Sequence, residues 1–506
     1  MNENLYAQFD MRFPADASAC FLSCSDGRTL TFDGLRARTA QVANLLRRLG
    51  AQPGDRIAAQ VEKSLDAVTL YLGCLRAGCV FLPLNPAYQM GELAHLLGDA
   101  RPTVLVTAPQ RAAMCKTLAA ETAIAQVVEM ADDGSGEFRD RVARESTNCL
   151  TAERSGGDLA AILYTSGTTG RAKGAMLTHR NLAVGTRVLH TQWGFRPGDV
   201  LLHILPIYHF HGLFVALHSA LYNGNTVLFE TRFDAAQAIG LLAHSTVVMG
   251  VPTHYARMLA EPALDAAACQ GMRLFISGSA PLLPSVFRAF QERTTHTILE
   301  RYGMTEGGMF VSNPYDGERR CGTVGKPLPG IALRVADAQD RPMPPLGIGN
   351  IQVKGESVFA GYWRLPEKTA EDHTVDGYFR TGDLGMLSED GYLTIVGRDK
   401  DLIISGGLNV YPKEIEDVID GLPGVRESAV VGVPHPDFGE SVTAVVVLDH
   451  HASPPSAEQV ALHVRNRLAA FKVPRQVYFA EELPRNAMGK VQKLALRQQY
   501  GAAQSA

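Results

Sequence analysis

The sequence predicts an α/β fold in more than one domain. Three observations carry this expectation: the length, a repeated alternation of helical stretches with short apolar runs, and a change of rhythm near residue 330. At 506 residues the chain exceeds the roughly 250 to 300 residues at which a single core stops growing. Over the first 150 residues, runs such as Arg56-Ile-Ala-Ala-Gln-Val and Pro102-Thr-Val-Leu-Val-Thr sit between helical stretches, the βαβ rhythm of a parallel sheet. A second block, from about 158 to 330, places apolar strands at Ala160 to Tyr164, Thr226 to Phe229, Val247 to Val251 and Leu274 to Ser277. From 330 to 398 short strands broken by Gly and Pro, as in "GIALRVADAQDRPMPPLGIGNIQVKG", read as a small antiparallel β-barrel. Two doubly wound α/β subdomains and this barrel make a large N-terminal body. After the charged stretch Asp399-Lys400-Asp401 the chain reads as a small α+β domain. There Pro412 suits the first turn of a helix with Ile415, Val418 and Ile419 on its apolar face. Ser456 and Gln459 form a capping-box signature ahead of Val460, Val464 and Leu468. The expected division is a body over 1–399 and a C-terminal domain over 400–506.

Composition narrows the function. Hydrophobic residues at 46% and charged residues at 20% are ordinary for a chain that folds throughout. A net charge of -4 lacks the basic stripe that a phosphate backbone requires, so no nucleic-acid partner is expected. The eight cysteines are dispersed, with no C-x-x-C pair and no histidines at zinc-finger spacing, and read as reduced structural thiols. The opening residues, MNENLYAQFDMRF, have neither a basic n-region nor an apolar h-region, and no apolar run reaches the ~18 residues of a membrane span. A cytoplasmic enzyme with no membrane partner is the expectation.

The most informative string is Tyr164-Thr-Ser-Gly-Thr-Thr-Gly-Arg-Ala-Lys-Gly174, where a strand runs into a loop of hydroxyls, glycines and cations. Glycines let backbone N–H groups approach phosphate oxygens, hydroxyls donate hydrogen bonds, and Lys173 compensates charge. Thr165, Ser166, Gly167, Thr168, Thr169 and Gly170 are therefore candidate ATP-binding residues. The string is not a Walker A loop, because no Gly-x-x-x-x-Gly-Lys-Ser/Thr occurs in the chain.

"YTSGTTGRAKGAM" resembles the phosphate loop of the adenylate-forming superfamily, which holds acyl-CoA synthetases, carrier-protein adenylation domains and firefly luciferase. The resemblance continues in order through "GSAPL" (278–282), "RYGMTEGG" (301–308), "YFRTGDLG" (378–385), "GRDKDLIISGGLNVYPKEIE" (397–416) and "PRNAMGKVQK" (484–493). It implies an enzyme that joins an acid to AMP and then to a thiol, with ATP and coenzyme A as co-substrates and Mg²⁺ as cofactor. By the same resemblance Gly278, Ser279, Ala280, Tyr302, Gly303 and Met304 line the nucleotide, Tyr302 stacking on adenine. Thr305 faces the α-phosphate, and Glu306 with Thr168 serves the metal, a hard carboxylate suiting phosphate-bound Mg²⁺. Asp383 takes the ribose hydroxyls, helped by Arg398. Lys490 reaches the substrate carboxylate and α-phosphate to stabilise the adenylation transition state. Its distance in sequence from the phosphate loop implies a C-terminal domain that is mobile, with Lys400 at the hinge. Ser405, Gly406 and Gly407 line the pantetheine tunnel, and Lys472 and Arg475 are candidates for the CoA phosphates. Acetylation of this lysine in relatives implies a lysine acetyltransferase as a partner at Lys490, which would remove its charge.

The acid is approached through three polar residues that do not suit a fatty or aromatic tail: His211, Arg257 and Arg301. His209 matches the pocket-wall histidine of the superfamily. An arginine facing an acyl tail is a buried unpaired charge unless the tail carries an anion of its own. A dicarboxylate resolves this, its distal carboxylate accepting from a guanidinium. "PIYHFHGL", "ERYGMTEGGMFVSNPYDGERR" and "GTVGKPLPG" are similar to malonyl-CoA synthetases, implying malonate as the acid and methylmalonate as a second substrate. Activation of another short, medium-chain or aromatic acid, carrier-protein loading, and a catalytically silent nucleotide sensor are the alternatives.

Overall fold

The apolar runs become strands almost residue for residue: Arg56–Gln60, Val104–Thr107, Leu159–Thr165, Thr226–Phe229, Val247–Gly250 and Leu274–Ser277. A computed structural model describes residues 2–165, 172–405, 408–435, 438–449, 453–486 and 488–502. Contacts gather the chain into two units, one of Met1–Ala332 with Lys354–His373, the other of Leu333–Val353 with Thr374–Ala506.

The first unit holds two sheets. The six-stranded one runs in the order Gln126–Glu129, Val104–Thr107, Arg56–Gln60, Val80–Pro83, Leu159–Thr165, Lys173–Thr178. Its strands are parallel except for the last pair, in which Thr165 faces Lys173. The nine-stranded sheet has a parallel centre, Leu299–Met304, Leu274–Ser277, Val247–Gly250, Val200–His203, Thr226–Phe229 and Cys20–Cys24, flanked by antiparallel edges. Strands buried on both faces need continuous apolar runs, which is why they were legible as such. Helices such as Ala235–Leu242, Pro252–Ala260 and Pro284–Thr294 cover one face, packing Ile239, Tyr255, Met258 and Phe290 onto Val248 and Phe275. Ligands of such sheets bind outside the carboxyl ends of the parallel strands. The segments after His203, Ser277 and Met304 occupy that position and carry the candidate residues.

In the second unit, the segment expected as a small barrel pairs as an antiparallel sheet of four strands, Ala332–Ala336, Gly349–Lys354, Phe379–Leu387 and Leu393–Arg398. The C-terminal part is a five-stranded sheet centred on Val425–His435 and Gly439–Leu448. Side chains alternate across it with period two. Val430, Val442, Ala444 and Val446 meet Ile415, Ile419, Val460 and Val464 on one face, whereas Ala429, Val431, Val445 and Val447 meet Leu483 and Leu496 on the other. Pro412 opens its helix, and the capping box forms: Ser456 N–H donates to Gln459 Oε1 at 2.7 Å and Gln459 N–H to Ser456 Oγ at 3.2 Å.

All eight cysteines are free thiols. Burial raises the pKa of Cys20, Cys24, Cys74, Cys115, Cys269 and Cys321, Cys24 and Cys269 to about 11. Among the described residues no helix is long and apolar enough to cross a membrane.

Candidate active site

Ser166, Gly167, Thr168, Thr169 and Gly170 lie outside the described residues, but both ends of their loop are in place. Thr165 closes one strand and Lys173 opens its antiparallel neighbour. Thr165 Oγ1 donates to the buried carboxylate of Glu306 at 3.4 Å, and the Tyr362 hydroxyl donates to the same oxygen at 3.3 Å. Burial, then Glu306 and Asp372, raises the Tyr362 phenol, which keeps it a donor. Lys173 Nζ stands 3.7 Å from the Asp372 carboxylate and 4.3 Å from the centroid of the Tyr362 ring. The structure thus brings Lys173, Thr165 and Glu306 together around the Tyr362 side chain. Among the described residues no three His, Cys, Asp or Glu side chains cluster as a metal site. One buried carboxylate beside a hydroxyl fits a cation held chiefly by phosphate oxygens, as Mg²⁺ is.

Glu306 is placed by a tight hairpin between Leu299–Met304 and Gly308–Ser312, with Thr305 half-buried in its turn. The two strands approach so closely that a Cβ on Gly303 would stand 2.0 Å from the Gly308 carbonyl oxygen. Tyr302 is buried, its ring 5.9 Å from Phe310 in an edge contact.

At the other end of the same strand lies the acid candidate. The Arg301 side chain is 3% exposed, and its Nε and Nη2 have no hydrogen-bond partner among the described residues. Burial pulls its pKa down to about 9, against the opposing influence of Tyr255 and Glu300, so it remains a cation at neutral pH. His211, whose Nε2 is also unmatched, feels the Arg301 charge, and His209, with Nε2 unmatched, acts in turn on His211. His211 Nδ1 stands 3.3 Å from Ser279 Oγ. Burial, and for His211 also Arg301, depresses both imidazoles, His209 to about 4, so both are neutral at pH 7. Gly278 presses directly on the guanidinium: a Cβ there would meet Arg301 Cζ at 2.4 Å. Ser279 sits in the left-handed region, φ 73°, and Met304 and Ala280 are half-buried beside these turns. A non-glycine residue held there is the kind of strain that collects at functional sites. His211 begins a wide π-type helix, His211–Leu217, another feature common at such sites.

Arg257 is exposed on the helix Pro252–Ala260, whose inward positions are Tyr255 and Met258. Burial and then the Arg257 charge lower the His254 imidazole, which acts in turn on His211. Three residues that sequence reasoning missed belong here: Ser277, one position before the recognised "GSAPL", and Tyr362 and Asp372, which no local pattern marks.

The second unit brings Asp383, Arg398 and Lys490 together. Asp383 and Arg398 face each other across the Phe379–Leu387 and Leu393–Arg398 strands, with Nε 2.9 Å from Oδ1. Lys490 is carried on a turn in which Asn486 Oδ1 accepts the N–H groups of Met488 and Lys490, each at 3.0 Å, and Arg485 donates to the Gly489 carbonyl at 2.5 Å. Gly489 supplies the φ of 72° that the turn needs. Burial, then the Arg398 charge, pulls the Lys490 ammonium down to about 8, opposed by Asp383. Lys400 is exposed in the short 3₁₀ turn Asp399–Asp401. Ser405 is buried at a strand end, and Gly406 and Gly407 lie outside the described residues. Lys472 is committed to the Glu414 carboxylate at 2.6 and 2.7 Å, and the Arg475 guanidinium lies 3.9 Å over the Phe438 ring, so a CoA phosphate would compete with both contacts.

Comparison with known proteins gives the family of this chain. The chain belongs to the AMP-binding enzyme family, whose profile matches residues 7–363, and the AMP-binding enzyme C-terminal domain matches residues 414–490. It is similar to a malonate–CoA ligase of Arabidopsis thaliana, 36% identical over an alignment of 485 positions that covers 88% of this chain and 78% of that protein. A probable CoA ligase of Humulus lupulus is 35% identical, covering 94% of this chain and 85% of the relative. In three dimensions the chain resembles ATP-bound MatB from Rhodopseudomonas palustris, with a TM-score of 0.97 and 49% identity over 99% of this chain and 100% of that one.

Proposed function

We propose that this enzyme is an ATP-dependent malonyl-CoA synthetase that also accepts methylmalonate. One carboxylate of malonate attacks the α-phosphorus of ATP and expels pyrophosphate, and the CoA thiolate then attacks the acyl carbonyl of malonyl-AMP and expels AMP. One observation carries the choice of acid: the buried guanidinium of Arg301, whose Nε and Nη2 lack partners among the described residues and whose charge acts on His211. A buried cation without a partner costs several kcal/mol, which only an anionic substrate tail offsets. His211 adds a neutral donor, so the distal carboxylate finds a preorganised receptor. Methylmalonate differs by one methyl, a discrimination of only ~1 to 3 kcal/mol.

The remaining roles are those that the resemblance to the family implies. Lys173 and the loop ahead of it bind phosphate oxygens, and Thr305 orients the α-phosphate. Glu306 with Thr168 holds Mg²⁺, which supplies charge neutralisation between the triphosphate and the attacking carboxylate. Asp383, with Arg398, accepts from the ribose hydroxyls. Lys490 donates to the oxyanion that develops in adenylation, and His209 forms the wall beside the acyl group. The part from 400 to 506 acts as a mobile lid about Lys400, and the loop at Ser405 serves the CoA side. The test is pyrophosphate release measured across acetate, propionate, malonate, methylmalonate, succinate and benzoate. Malonate should give the highest kcat/KM, and a preference for propionate or benzoate would overturn the assignment.

Two substitutions probe this reading further. Gly278→Ala places a methyl where the guanidinium lies, so the malonate KM should rise at least about tenfold, as small misplacements of a binding group do. The melting temperature should move by only a few degrees. An unchanged KM would show that Gly278 does not set the position of Arg301. Lys400→Pro fixes φ at the proposed hinge. Thioester formation should then fall more than adenylation; equal loss of both half-reactions would remove Lys400 from the hinge.

A further inference from the structure

Lys63 is the deepest lysine that the chemistry above does not use. It follows the Arg56–Gln60 strand of the six-stranded sheet and is 8% exposed. Its Nζ reaches across to the carboxyl ends of two strands of the nine-stranded sheet. It lies 2.8 Å from His203 Nδ1, 2.8 Å from the His203 carbonyl and 2.6 Å from the Glu230 carbonyl. Three acceptors at hydrogen-bond distance match the three donors of an ammonium and leave a neutral amine one donor short. Burial pulls Lys63 well below the usual lysine range, but the geometry satisfies every N–H of the charged form.

That arrangement fixes the tautomer of His203. With Nδ1 accepting from Lys63, the ring proton sits on Nε2 and is donated to the Gly212 carbonyl at 2.9 Å. Gly212 is the second residue of the π-type helix that begins at His211. It has no room for a side chain, since a Cβ would lie 2.1 Å from the Pro206 carbonyl oxygen. The helix start is therefore pinned on one side by Pro206 and on the other by His203, and the residue it presents is His211, beside Arg301 and Ser279.

We propose that Lys63 and His203 are positioning residues for the acid pocket, a buried clamp that holds the Gly212 carbonyl and so sets His211 against the substrate's distal end. Neither touches the nucleotide site. The proposal rests on the assignment of the Arg301 group as the acid pocket.

The experiment uses the full chain and whichever acid the wild-type enzyme activates best. Lys63→Met should raise the acid KM at least about tenfold while kcat and the ATP KM stay within about threefold, because a displaced binding group is felt only by the ligand it faces. An unchanged acid KM, or equal losses for acid and ATP, overturns the clamp. Since Lys63→Met also strips two carbonyls of their donor, a second pair keeps Lys63 and changes His203. His203→Gln retains one acceptor and one donor and should keep the acid KM within about threefold, whereas His203→Leu should raise it at least about tenfold. Equal values for Gln and Leu overturn the proposal. Failure of the pocket assignment reads differently: Arg301→Ala would then keep wild-type selectivity between malonate and propionate, whatever the Lys63 and His203 variants do.

Discussion

Arg301→Ala is expected to lower malonate-dependent pyrophosphate release by at least about a hundredfold, while propionate-dependent release changes by far less. Truncation leaves the distal carboxylate desolvated without its cation, for which ~2 to 5 kcal/mol is the usual range. A loss of about 3 kcal/mol is more than a hundredfold at 1.36 kcal/mol per decade. Propionate has nothing for the guanidinium to hold. Stability should move the other way. Arg301→Met fills much of the space without a charge whose Nε and Nη2 lack partners, so its melting temperature should rise as malonate selectivity is lost. Burial lowers the Arg301 pKa but leaves the guanidinium a cation throughout the working range, so the ratio of malonate to propionate kcat/KM should show no limb assignable to Arg301. A ratio unchanged in both variants would remove the dicarboxylate reading and leave only a general acyl-CoA synthetase.

Lys490→Ala is expected to reduce adenylation by at least about a hundredfold, the scale of losing one preorganised donor to a developing oxyanion. Conversion of supplied malonyl-AMP to malonyl-CoA should survive, since Lys490 is assigned to the attack of the carboxylate on the α-phosphorus and not to the attack of the thiolate on the acyl carbonyl. Comparing pyrophosphate release with thioester formation in one preparation decides it. Loss of both would sink the division of labour. Burial and Arg398 hold Lys490 near 8, so the lysine is charged below that pH. Adenylation should decline with one-proton slope as pH rises through about 8, and Lys490→Arg should not show that limb in whatever activity it keeps.

The sequence disclosed most of the fold because fully buried parallel strands must be continuously apolar. Arg56–Gln60, Val247–Gly250 and Leu274–Ser277 stood out for that reason. The C-terminal helix at Pro412 and the Ser456 cap were readable because both signals are local. The nucleotide side was readable too, since Lys173, Glu306 and Asp383 sit in strings of recognisable chemistry. What stayed hidden depends on contacts between distant positions. Lys63 and His203 are 140 residues apart, and the Tyr362 hydroxyl donates to Glu306 across 56; neither pairing leaves a periodicity. Helical spacing turns Tyr255 and Met258 inward and leaves Arg257 exposed.

The raised thiols have a consequence for an enzyme of this chemistry. An acyl-adenylate is a potent acylating agent, and thiolate, not thiol, is what it would modify. Cys20, Cys24, Cys74, Cys115, Cys269 and Cys321 are all shifted toward the protonated form by burial. These six thiols are thereby held back from the protein's own product-forming intermediate, and the thiol that arrives from solution meets an electrophile that they have not already consumed.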